Sequence, residues 1–182
     1  GSALMRYILR RREVVADNWR HLAEVGADGT ARAMDGATAY HTAAAGGLIV
    51  PLAQLRGDPQ RWRTWSGRLG VRLTPADPVE ELAGLLPQLE LVAVEFPNPG
   101  DGRGYSQGRL LRGRLGFRGE LRAVGDGVRQ DQVFLLARCG FDTFELAPGQ
   151  DPEAARRALA RYDVAYQPGD AQVALQRQRF GR

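Results

Sequence analysis

The chain has 182 residues, 43 % hydrophobic and 25 % charged, which suits one globular domain with a sizeable core. A single cysteine, Cys139, excludes an internal disulfide and a cysteine-built metal site, and all 25 basic side chains are arginine, which excludes imine chemistry on a lysine. The net charge of +4 permits acidic partners without arguing for nucleic acid, and with no apolar run near the roughly 18 residues of a membrane span and no secretory signal, a cytoplasmic protein is expected.

Tyr7-Ile8-Leu9 and Val14-Val15 flank a charged turn and predict a small hairpin. Asp17 to Tyr40 is rich in Gly, Ala and Asp with weak periodicity, and reads as an irregular arm. His21 and His41 lie in or near it without a metal-ligand pattern, and read as surface residues. The arm, residues 3–47, gives way to a regular region at 48–168 and a basic tail at 169–182.

Leu48 to Leu52 is a short apolar run of the buried-strand kind. Asp58-Pro59 opens a helix that Gly70 closes, and Val71 to Leu73 follows as a strand. Asp77-Pro78 opens a second helix, with Asp as N-cap, Pro at the first helical position and Glu80 completing a capping box. Leu89 to Phe96 is a strand, Gly104 to Leu115 a helix, Glu120 to Val124 a strand. A helix ending at Cys139, a strand over Phe141 to Leu146 and a helix from Asp151-Pro152 to about Tyr162 complete the rhythm, with Val164 to Tyr166 as a candidate edge strand.

Short strand–helix alternation of this kind demands parallel pairing. The expected fold class is α/β: repeated βα units with a mainly parallel sheet, either open and doubly wound or an incomplete (β/α) barrel, preceded by the hairpin arm. Both forms place ligands at the carboxyl ends of the strands. That rule selects the loop after Phe96, where Gly102, Arg103, Gly104, Tyr105 and Ser106 lead into a helix carrying Arg109. Approachable backbone N–H groups, a helix N-terminus and guanidinium forks make a candidate cradle for phosphate, sulfate, sulfite or carboxylate. The loop after Val124 adds Asp126, Arg129, Asp131 and Gln132. Asp101 and Asp126 are candidate acid–base groups, with Arg122 and Arg129 as further anion contacts; the same residues could equally form a structural ion-pair network. Glu95, a lone charge in an apolar strand, needs a partner, and Arg122 on the next strand is the expected one.

No nucleotide, flavin or metal fingerprint is present, so no cofactor is expected. The arginines between Arg103 and Arg122 lack the aromatic interleaving of a nucleic-acid site, and could serve an acidic protein partner. Self-association stays open.

The segments Glu95-Phe96-Pro97, Asp101 to Ser106, Arg109 to Arg112, Gly119 to Asp126 and Arg138 to Asp142 together resemble an uncharacterised bacterial family, the domain of unknown function nine-three-four. The resemblance runs from about Leu48 to Tyr162. That family carries an oxidoreductase label and is commonly encoded beside assimilatory sulfite or nitrite reductase. The resemblance implies an accessory role in sulfite reduction, with the reductase or a small oxyanion as the partner.

Overall fold

The computed structural model describes residues 7–35, 39–40 and 46–161. In chain order these form β1 (Tyr7–Arg10), β2 (Glu13–Ala16), β3 (Trp19–Val25), β4 (Ala31–Ala33), β5 (Ala39–Tyr40), β6 (Gly47–Pro51), α1 (Leu52–Gly57), α2 (Pro59–Arg63) and β7 (Arg68–Leu73). After two 3₁₀ turns (Val79–Leu82 and Leu86–Gln88) come β8 (Leu91–Glu95), α3 (Arg103–Arg112), β9 (Glu120–Val124), α4 (Val133–Arg138) and β10 (Thr143–Phe144), then a helix over 152–161, here α5.

The ten strands form one mixed sheet in the order β2-β1-β10-β9-β8-β7-β6-β3-β4-β5. Its centre is parallel, from β3 through β6, β7, β8 and β9 to β10. The hairpin β1–β2 adds antiparallel to β10, and β4–β5 antiparallel to β3. From β6 to β10 the order ascends without a reversal, and a doubly wound sheet needs one. Crossovers of one hand then put every helix on the same face. The packing agrees. Leu55, Trp62, Leu111, Val133, Leu136 and Leu159 from the helices share one core with Leu48, Val50, Val71, Leu73, Val92, Val94, Leu121 and Ala123. Alternate strand residues point the other way, and there Trp19, Ile49, Leu91, Ala93 and Val124 form a second cluster to which no helix among the described residues contributes.

The helix-free face is strongly concave. From β10 to β3 is five inter-strand steps, about 24 Å across a flat sheet. Yet His21 on β3 lies 2.7 Å from Glu145, the residue following β10. The chain path makes the same demand: β2 and β3 are seven steps apart in the sheet, about 34 Å if flat. Only Asp17 and Asn18 join Ala16 to Trp19, a reach of about 11 Å. The sheet is therefore curled and open, close to a barrel.

Three local expectations change. The segment 17–40 contains β3 and β4, and β3 pairs in parallel with β6 as part of the main sheet. Its Ala31 and Ala33 are buried in the core, and Trp19 packs so closely on β6 that a Cβ on Gly47 would run into its ring. Asp77-Pro78 opens a 3₁₀ turn instead of an α-helix, because the Asp77 carboxylate turns back to accept from the Thr74 N–H. Asp58 and Asp151 do accept from the first turns of their helices. Leu69 and Gly70 belong to β7, and Gly70 lies so close to β8 that a Cβ would sit 3.1 Å from Leu91. His41, Val164 to Tyr166 and the 169–182 tail fall outside the described residues.

Candidate functional site

Parallel β8 and β9 deliver the loops 97–102 and 125–132 to the same rim. The Gly127 N–H donates to the Phe96 carbonyl at 2.7 Å, and the Tyr105 hydroxyl donates to Gln132 Oε1 at 3.1 Å. Gly125 has φ +112°, and a Cβ there would stand 2.5 Å from the Phe96 carbonyl oxygen. A Cβ on Gly127 would stand 2.6 Å from the Asn98 carbonyl. Glycine is required at both because two backbones touch.

α3 packs equally closely. Phe96 meets Tyr105 and Phe141 edge-on, with ring centroids 5.3 and 5.6 Å apart. Gly104 and Gly108 give these rings room, since a Cβ would come within 2.5 Å of Phe96 at the first and 2.6 Å of Phe141 at the second. Both glycines of α3 thus serve packing.

Asp101 lies at the α3 N-terminus and accepts from the Arg103 N–H at 3.1 Å. It also takes a two-point bond from the Arg103 guanidinium at 3.0 and 2.7 Å. The anion cradle expected at residues 101–106 therefore already holds the chain's own carboxylate. Hydrogen bonding to Arg103 pulls the Asp101 pKa below its ordinary value, and Asp101 in turn raises that of Arg103. Asp126, Ser106 and Arg109 are exposed. Arg129 is half-buried, and its Nε has no hydrogen-bond partner among the described residues. Burial raises the Tyr105 pKa, with Cys139 and Asp131 adding to it. Cys139 is a buried free thiol at the α4 C-cap.

Arg122 is not part of that rim. It projects from the middle of β9 onto the helix-free face, where its side chain is 2 % exposed. Asp17 Oδ2 and Oδ1 accept from its two terminal nitrogens at 3.0 and 3.1 Å. Glu120 accepts at 2.9 and 3.2 Å, and Glu145 at 3.0 Å. Thr143 adds a hydroxyl bond to Glu120. Burial alone would lower the Arg122 pKa; the carboxylates of Asp17, Glu145 and Glu120 outweigh it and hold the guanidinium above its ordinary value. Burial would raise Glu145, but His21 and Arg122 pull its pKa down to about 2.

The network continues to the carboxyl ends of the strands. Arg72 on β7 donates to His21 Nδ1 at 2.8 Å and pairs with Glu95 at 2.9 Å. Glu95 thus finds its cation on the preceding strand: Arg72, not Arg122. An arginine can only donate, so His21 Nδ1 is the acceptor, and the ring proton sits on Nε2, donated to Glu145. In this interior Arg72 and Arg122 stand against Asp17, Glu95, Glu120 and Glu145, a surplus of carboxylate that disfavours an oxyanion there. Among the described residues no group of three or more His, Cys, Asp or Glu is placed to hold a metal ion, and no helix is long and apolar enough to cross a membrane.

Residues 70–175, more than half of the chain, match the family described as bacterial protein of unknown function, DUF934. The chain belongs to that family. No curated protein matches it. The DUF934 match takes in both rim loops and Arg72, Glu95, Glu120, Arg122 and Glu145, whereas Asp17 and His21 lie before it. Sequence reasoning singled out Glu95 and Arg122 and missed Asp17, His21, Arg72, Glu120 and Glu145. The signal that could have found the strand-borne members is one they share with Glu95: charges alternating with buried residues on neighbouring parallel strands, so that all fall on one face.

Proposed function

We propose that this DUF934 protein works in the cytoplasm as an accessory partner of assimilatory sulfite or nitrite reductase, docking through an arginine-rich face. The resemblance across residues 95–142 supports the pathway. One observation carries the docking mode: residues 102–119 hold five arginines and no carboxylate. Two are used internally, Arg103 by Asp101 and Arg112 by Asp142. Arg109, Arg114 and Arg118 are exposed and take part in none of the ion pairs among the described residues. Three free guanidinium groups within ten residues favour an acidic protein surface, through both encounter rate and register.

Co-purification with the cognate reductase over a salt series tests this reading. Complex formation should weaken steeply between low and physiological salt, and should be lost in Arg109→Glu/Arg114→Glu/Arg118→Glu. A complex indifferent to salt and to these changes would refute it.

The second reading is an oxidoreductase or other enzyme of the βα-repeat kind, handling a small anion with Asp101 and Asp126. What favours it is the contact between their two loops. Against it, Arg103 occupies Asp101 and keeps it ionised, which suits neither a general acid nor an open cradle. Calorimetry with sulfite on the wild type and on Asp101→Asn separates the two readings, since release of Arg103 should create sulfite binding only if the loop is built for anions.

A further inference from the structure

Asp17 and His21 come from the N-terminal segment, while their partners come from β7, β9 and β10. His21 closes the concave face by two opposite kinds of bond. It gives a proton to Glu145, and it takes one from Arg72. Only a neutral imidazole with its proton on Nε2 can do both. Every charged group around the ring is already committed: Glu145 to Arg122, Arg122 to Asp17 and Glu120, Arg72 to Glu95.

We propose that His21 is a proton-operated latch that fastens the N-terminal strand β3 across the mouth of the curled sheet. In the neutral state both bonds hold, and β3 is tied to β7 and β10 at once. A proton taken up on Nδ1 leaves that nitrogen a donor facing the donor of Arg72. The His21–Arg72 bond breaks, two like charges meet, and Arg72 swings away with Glu95 as its remaining partner. The Glu145 bond persists, so the imidazolium stays at the seam while the tie to β7 is lost. The freed guanidinium lies at the carboxyl ends of the parallel strands, the end of such sheets where ligands gather.

The test needs no variant to begin. Nitrogen-15 spectra of the full chain at neutral pH should show a His21 ring with protonated Nε2 and an unprotonated, hydrogen-bonded Nδ1. As His21 takes up its proton, amide exchange in Trp19–Val25, corrected for its intrinsic pH dependence, should accelerate about tenfold or more, the loss of one charge-assisted hydrogen bond. His21→Gln offers an acceptor and a donor that never titrate, and should remove that pH dependence. A ring protonated on Nδ1 at neutral pH would overturn the latch, as would β3 exchange that ignores the titration or His21→Gln retaining the wild-type pH profile.

Discussion

Asp17 and Arg122, 105 positions apart in the chain, form a two-point ion pair at 3.0 and 3.1 Å inside the curled sheet. The pair fastens the turn between β2 and β3 to the middle of β9, and Glu120 and Glu145 complete the shell around the same guanidinium.

Removing that guanidinium leaves three carboxylates facing one another. Arg122→Met is expected to cost about 3–5 kcal/mol in denaturant unfolding, because a lone buried charge is worse than a pair. Arg122→Lys should recover only part, since one ammonium cannot reproduce the fork. Asp17→Asn keeps the shape and should cost less than Arg122→Met.

Acid should act through Glu145. Its pKa is depressed from 4.5 to about 2, so the unfolded state binds the proton more readily, and stability rises with pH in this range. The contribution is fully present above about 4.5 and drains away as pH falls towards 2. Glu145→Gln should flatten that part of a stability–pH curve measured by urea unfolding.

Arg112 stitches two turns together, the α3–β9 and α4–β10 connections. Its guanidinium donates to the carbonyls of Gly140 at 2.9 Å, Phe117 at 2.8 Å and Gly119 at 2.7 Å, and pairs with Asp142. Arg112→Ala orphans these carbonyls and should cost about 2–4 kcal/mol. Lysine, with one nitrogen for four acceptors, should rescue poorly.

The rim depends on backbone contact. Gly125→Ala would place a Cβ 2.5 Å from the Phe96 carbonyl at a positive φ, and should separate the two loops. The expected reading is a thermal midpoint lowered by several degrees and faster exchange of the Gly127 amide, for a cost of about 1–3 kcal/mol.

The parallel centre of the sheet was legible from its apolar runs. Leu48 to Pro51 and Leu91 to Glu95 fall where their nearly continuous apolar runs put them, while Glu120 to Val124 turns Leu121 and Ala123 to the helix side and its two charges to the other face. The contact between the 97–102 and 125–132 loops followed from parallel pairing alone. β3 was not legible, because each of its faces mixes polar and apolar residues, Trp19 with His21 on one and Arg20 with Leu22 on the other, which dilutes any hydrophobic period. The pairing of Glu95 was misassigned for a related reason. The strands on either side of β8 supply one cation each to the same face, and only the curl, which brings His21 onto Arg72 and Asp17 onto Arg122, decides which cation goes where. The self-pairing of Asp101 with Arg103 was equally hidden, being a matter of loop conformation over two residues.

The two-residue link from β2 to β3 has a bearing on biosynthesis. β1 pairs with β10 through Leu9 and Phe144, so among the described strands it has no sheet neighbour beyond its own hairpin until β10 has been made. β3 meets its own neighbour β6 much sooner, but Asp17 must wait for Arg122. The β1–β2 hairpin is thus among the last pieces seated, and a nascent chain would carry it unplaced until β10 emerges.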